Sequence, residues 1–152
     1  MDEITSLPTV KLYLKNSEGK GRGVFCHESI PKRTLIHVSP VLIMQGDDTE
    51  LSQQTMLKHY TYTWGKHQAI ALGLGSMFNH CRSNNVGFIR VKEKEIIEYY
   101  TLTDVPPDTE LCIHYGPHVW FDDADEMSEE QDSPDGEKKG GDNNPLDLLN
   151  LW

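Results

Sequence analysis

The sequence predicts a mostly β protein with short helices and turns. Near its start, apolar and polar residues alternate over residues 10–15, which is the period of a strand with one buried face. Further on, two apolar runs at residues 86–91 and 96–102 flank a Lys-Glu-Lys-Glu segment and indicate a hairpin. The patterns therefore favour several short strands joined by polar turns.

The remaining elements follow in chain order. Residues 16–19 predict a turn after the first strand, and residues 35–38 and 41–44 predict two short strands separated by Ser39 and Pro40. Residues 45–52 are polar and predict a loop. Tyr60, Tyr62 and Trp64 alternate as one face of a strand would, and a proline-rich turn at residues 104–108 leads to an apolar run at 111–115.

Charge divides the chain of 152 residues into a nearly neutral body and an acidic end. Residues 1–121 hold 13 acidic and 12 Lys or Arg side chains, whereas residues 122–152 hold 11 and 2. Residues 122–145 have almost no apolar side chains and predict a disordered acidic linker. We therefore expect one folded domain over residues 1–121, the linker, and a short apolar tail at residues 146–152.

Composition also limits where the protein acts. Three widely spaced cysteines, Cys26, Cys81 and Cys112, argue against a disulfide framework and favour a reducing compartment. No apolar run reaches the roughly 18 residues of a membrane span, and the acidic start is unlike a signal peptide. A nearly neutral body with an anionic end also argues against direct binding to nucleic acid.

A Gly-Arg-Gly segment follows the first strand. Gly21 and Gly23, preceded by Lys20, would let the backbone adopt positive φ and approach a ligand closely. When such a segment stands alone, a tight turn between strands is the more common explanation.

Two later segments carry polar groups beside apolar ones. Asn79 and His80 follow Met77 and Phe78, so we expect their side chains to make buried hydrogen bonds. About thirty residues later, a segment that reads Glu-Leu-Cys-Ile-His-Tyr-Gly at residues 110–116 places the Tyr115 phenol at a strand end.

In this order and spacing, the three segments resemble the signature motifs of SET-domain protein-lysine methyltransferases, in particular small single-domain fungal or viral members. The run from Tyr60 to Gly75 also looks like the middle of such proteins. The resemblance implies a SET fold of several small sheets with a knot-like threaded active site. It also implies S-adenosylmethionine as cofactor and S-adenosylhomocysteine as product.

The resemblance assigns roles residue by residue. It implies that Tyr115 is the catalytic residue, whose hydroxyl helps to align the reacting groups. The cofactor-binding residues would be Lys20, Gly21, Arg22, Gly23, Tyr60, Asn79, His80 and Trp120. The channel for the substrate lysine would be lined by Tyr60, Tyr62, Tyr115 and Trp120.

The chain departs from the family pattern around its cysteines. Arg82 stands where relatives carry a zinc-ligand cysteine, and no cysteine follows Cys112, so we expect no zinc and no other metal. His114 replaces the usual Asp before the catalytic Tyr. The lysine channel then needs another cap, for which the candidates are the tail at residues 146–152 and a second subunit that covers Trp120 and Phe121.

The expected function is transfer of a methyl group to a protein lysine in a basic histone tail. The acidic end could attract such a tail, and this activity implies a nuclear protein that could also occur in the cytoplasm. Methylation of a non-histone lysine and a non-catalytic SET-like peptide-binding module remain alternatives. A zinc hydrolase is a further alternative, but the spacing of its ligands would be poor. Those ligands would be His80, Cys81, Cys112, His114 and His118.

Overall fold

The computed structural model describes residue 3 and residues 5–114. These residues form mainly β-strands with one α-helix, which confirms the predicted fold class. The strands are β1 (Leu12–Ser17), β2 (Gly21–Cys26), β3 (Leu35–Met44), β4 (Thr61–Trp64), β5 (His67–Ala71), β6 (Asn79–His80), β7 (Val86–Val91), β8 (Ile96–Thr101) and β9 (Glu110–Ile113). The helix is α1 (Asp47–Gln53), and 3-10 turns occupy Met56–His59, Gly75–Met77 and Lys92–Lys94.

The strands form two small sheets. One has the order β1-β2-β9-β6 and the other the order β4-β5-β3-β8-β7. The predicted hairpin is confirmed, because β7 and β8 pair antiparallel. The short β6 instead pairs parallel with β9, with Asn79 opposite Cys112. This parallel pairing brings two of the motifs singled out in the sequence side by side.

The prediction of two short strands around Ser39 and Pro40 is wrong, because β3 is a single strand of ten residues. Pro40 cannot donate a hydrogen bond to a neighbouring strand. It lies where β3 changes partner, since the residues before Val41 pair with β8 and those from Val41 onward pair with β5. The Pro40 carbonyl still accepts a hydrogen bond from the Leu72 amide at 2.9 Å, so the strand continues through the proline.

Two further local predictions need correction. The polar loop expected at residues 45–52 contains most of α1, whose first turn carries Asp47, Asp48 and Glu50. Acidic side chains at this end are stabilised by the helix dipole, an effect that a survey of apolar residues does not detect. Tyr60 ends a 3-10 turn rather than entering a strand, because β4 begins at Thr61. Among the described residues, no helix is long and apolar enough to cross a membrane.

Buried aromatic residues hold the segment that precedes β6. The Tyr62 hydroxyl donates to the Gly75 carbonyl at 2.8 Å and accepts from the Tyr99 hydroxyl at 3.2 Å. The Phe78 ring stacks on Tyr99 with 4.7 Å between ring centroids. A Cβ on Gly75 would lie 2.3 Å from Ser39 Oγ, so only glycine fits there. These contacts fix the chain directly before Asn79.

A histidine that must stay neutral supports the same segment. The Leu74 amide donates to His37 Nε2 at 3.1 Å, so this nitrogen acts as an acceptor and carries no proton. The His37 ring also packs against Phe78 and Tyr99. Burial lowers the pKa of His37 below its usual 6.5, because the charged form would lose its hydration.

We expect the domain to lose stability as the pH falls below about 6.5. In that range the unfolded chain binds a proton at this position and the folded chain does not, so acid favours unfolding until the lower folded pKa is reached. Urea unfolding between pH 7.5 and 5 should show the midpoint of the wild type falling more steeply than that of His37→Gln. The glutamine keeps an acceptor for Leu74 but does not titrate, and equal slopes would contradict the role of His37.

Candidate active site

The two glycines of the Gly-Arg-Gly segment are required for different structural reasons. Gly21 has φ of 76°, and a Cβ there would have no atom within 4 Å, so its surroundings are open. Gly23 is buried within β2, where a Cβ would lie 2.3 Å from Glu110 Oε1 and 2.8 Å from Asn79 Nδ2. Gly21 therefore serves the conformation of the turn, and Gly23 allows two polar side chains to approach the backbone.

The Glu110 carboxylate joins segments that are far apart in the sequence. Its Oε1 accepts a hydrogen bond from Asn79 Nδ2 at 2.8 Å, and its Oε2 accepts one from Ser17 Oγ at 2.7 Å. Asn79 Nδ2 also donates to the Arg22 carbonyl at 3.3 Å. The end of β1, the glycine segment, β6 and β9 thus meet at one carboxylate.

A second asparagine attaches the loop after β6 to the same strand. Asn85 Nδ2 donates to the Glu110 carbonyl, and Asn85 Oδ1 accepts from the Cys112 amide, both at 2.8 Å. The side-chain amide thus forms two hydrogen bonds with β9. No role was predicted from the sequence for Glu110, which begins the segment at residues 110–116, or for Asn85, which follows His80 by five residues. The sequence did offer one signal for Glu110, which is a carboxylate at the start of a strand whose other residues are buried.

Lys20 and His80 lie beside this network. Lys20 Nζ donates to the His80 carbonyl at 3.1 Å and connects the glycine segment to β6. The His80 and His114 rings meet edge to face with 4.9 Å between centroids. Burial lowers the pKa of His80, and interactions with the neighbouring His114, Lys20 and Arg82 lower it further. A neutral imidazole at this position avoids repulsion of a cationic ligand.

The Cys112 thiol on β9 is unsuited to act as an anionic ligand at neutral pH. Burial, followed by Glu110 and Cys81, raises the pKa of Cys112 to about 11, so its thiol keeps the proton. Among residue 3 and residues 5–114, no three His, Cys, Asp or Glu side chains lie together as metal ligands do. His118, the last ligand of the alternative zinc hypothesis, lies outside the described residues.

The two described residues of the predicted lysine channel, Tyr60 and Tyr62, do not join the hydrogen-bond network of the predicted cofactor-binding residues. Tyr62 is a core residue whose hydroxyl is hydrogen-bonded to Gly75 and Tyr99, and its ring meets Phe88 edge to face. Tyr60 is 39% exposed, and within the described chain it makes no hydrogen bond to the glycine segment or to Asn79. Their channel roles stay predictions. Tyr115, Trp120 and Phe121 lie outside the described residues, and so do the predicted linker and tail.

Comparison with known proteins identifies the family. Residues 21–116 match the family model described as the SET domain. A curated relative from Schizosaccharomyces pombe, "Histone-lysine N-methyltransferase, H3 lysine-37 specific", is 46% identical over 121 residues, which cover 77% of this chain and 82% of the relative.

A solved structure supports the fold. The crystal structure of a candidate histone methyltransferase from Plasmodium falciparum aligns with a TM-score of 0.61 at 24% identity, over 74% of this chain and 99% of that one. The family model spans the glycine segment, Asn79 and His80, and the whole of β9. This protein belongs to the SET-domain family.

Proposed function

We propose that this protein is a protein-lysine N-methyltransferase that uses S-adenosylmethionine and acts on a histone. The observation that carries the proposal is the contact between Asn79 and Glu110 against Gly23, since it unites the motifs of a SET domain at one site. The S. pombe relative, which bears the name of a histone-lysine methyltransferase, supports the same activity.

The described residues fit this cofactor. Asn79 Oδ1 accepts no hydrogen bond within the described chain, so it is available to a donor such as an ammonium group. The backbone around Gly21 is open, and the neutral His80 ring does not repel a cation. We assign cofactor binding to the segment from Lys20 to Gly23 and to Asn79 and His80, with Tyr60 and Trp120 as further contacts.

Methyl transfer to a lysine amine requires little acid or base catalysis by the protein. S-adenosylmethionine supplies a methyl group bonded to a positively charged sulfur, and the lysine amine must arrive neutral. We assign to Tyr115 the alignment of this amine, and a water molecule can take the released proton. The proposed lysine channel is formed by Tyr60, Tyr62, Tyr115 and Trp120, which would exclude bulk water from the amine.

A basic histone tail is the proposed substrate. Residues 122–152 contain 11 acidic side chains and only 2 basic ones, a charge that attracts Lys-rich and Arg-rich segments over long range. Histones are nuclear, so we propose that the protein acts in the nucleus. The nearly neutral body does not favour direct contact with DNA, and nucleosomal contact would occur through histone.

Replacing Tyr115 by Phe tests the activity. The change removes one hydroxyl and keeps the ring, so the fold should persist while methyl transfer falls by about tenfold or more, which corresponds to at least roughly 1.4 kcal/mol in the transition state. Transfer of label from S-adenosylmethionine to purified core histones and to a nuclear extract measures the rate and identifies the substrate. Wild-type rates in Tyr115→Phe would remove this residue from catalysis, and label only on other proteins would replace histone as substrate.

The cap of the lysine channel is a separate proposal. We propose that a second copy of the chain covers apolar surface near Trp120 and Phe121, with the tail at residues 146–152 as the alternative. Exposed apolar side chains on α1 and the following 3-10 turn, namely Leu51, Met56 and Leu57, provide further surface for association.

Deletion of residues 122–152 separates the two caps. If a subunit forms the cap, the truncated protein should keep its activity and a dimeric mass by light scattering. A monomer that loses cofactor affinity would identify the tail as the cap. A fully active monomer would contradict both proposals, because the domain would then close its own channel.

A further inference from the structure

The orientation of the Asn79 side-chain amide follows from its partners. Nδ2 faces two groups that can only accept hydrogen bonds, the Arg22 carbonyl at 3.3 Å and the Glu110 carboxylate at 2.8 Å. Neither group can donate to an amide oxygen, so a rotation that exchanged Oδ1 and Nδ2 would lose both hydrogen bonds. Both amide protons are thus used, and Oδ1 must face away from Glu110.

Glu110 is the stronger of the two partners. Its hydrogen bond with Asn79 is shorter and is assisted by the negative charge, and such bonds are roughly twice as strong as neutral ones. The carboxylate is itself held, because Oε2 accepts from Ser17 Oγ at 2.7 Å and Glu110 follows the turn into β9. Gly23 leaves the space in which the pair meets.

We infer that Glu110 is a positioning residue that turns Asn79 Oδ1 toward the ammonium group of the cofactor's methionine portion. The inference rests on the proposed function, because it needs the cofactor to bind at Asn79. A carboxylate is the side chain suited to this task, since it presents acceptors only. A glutamine in its place could offer either an oxygen or an NH₂ group to Asn79, and the amide would no longer have one favoured orientation.

A direct effect of the charge is the rival explanation. A negative carboxylate could attract an ammonium group through space without acting on Asn79. The two explanations differ in a double-mutant cycle, since positioning requires the Asn79 side chain and long-range attraction does not.

The cycle measures S-adenosylhomocysteine affinity by calorimetry in the full-length wild type, Glu110→Gln, Asn79→Ala and the double variant. We expect Glu110→Gln to weaken binding by about tenfold, the effect of one misplaced hydrogen bond. The double variant should bind within about twofold of Asn79→Ala, because nothing is left to orient. Glu98→Gln controls for the lost charge, since Glu98 lies on β8 and bonds Tyr100; it should bind as the wild type does.

A second ligand distinguishes positioning from damage to the fold. An S-adenosylhomocysteine analogue that lacks the α-amino group has no ammonium to meet Asn79 Oδ1. Its affinity, measured by competition, should differ by less than about twofold between the wild type and Glu110→Gln. Equal losses for both ligands would show a merely structural role and overturn the inference.

Three further results would be decisive. Multiplicative losses in the cycle would identify the direct effect of charge, and unchanged affinity in Glu110→Gln would remove Glu110 from binding; each would overturn the inference. A folded wild type that binds no S-adenosylhomocysteine at high protein concentration would instead refute the proposed function.

Discussion

The hydrogen bond between the Glu110 carboxylate and the Asn79 amide is the interaction on which the site depends. It joins residues 31 positions apart, and the same carboxylate reaches Ser17, 93 positions away. A charge-assisted hydrogen bond of this kind contributes about 1.5 to 3 kcal/mol, enough to fix the relative position of short strands that pack little area themselves. Because β6 has only two residues, it needs such a partner to keep its register beside β9.

Packing of the segment that precedes β6 complements this polar contact. The Tyr62 hydroxyl holds the Gly75 carbonyl, and Phe78 stacks on Tyr99 directly before Asn79. The polar pair fixes the end of the segment that faces the proposed cofactor, while the aromatic residues fix the end that faces the core. Two glycines make this possible, since a Cβ on Gly75 or on Gly23 would collide with the groups that hold the segment.

Much of the fold was predictable because it depends on local patterns. The β7–β8 hairpin followed from two apolar runs around a charged turn. The order of the motifs that contain Gly23 and Asn79 indicated the family. The helix α1 was missed because its stabilising feature is an acidic first turn rather than an apolar face. The break expected at Pro40 was missed because a change of strand partner is a tertiary event.

The residues of the proposed site could be selected from the sequence, whereas the contacts among them could not. Family resemblance selected Lys20, Gly23 and Asn79, and the structure brings them together through hydrogen bonds or close approach. The proposed role of Glu110 depends on the pairing of β9 with both β2 and β6, which no local pattern in the sequence reports. The short distance from Gly23 to this carboxylate could be known only from the folded chain.

A crystal structure of the protein with S-adenosylhomocysteine would show whether Asn79 meets the cofactor while Glu110 holds it. We expect the ligand beside the segment from Lys20 to Gly23, with its ammonium group on Asn79 Oδ1 and with Asn79 Nδ2 still on Glu110. A ligand bound elsewhere, or an Asn79 side chain that leaves Glu110 to meet the ligand through Nδ2, would contradict this expectation.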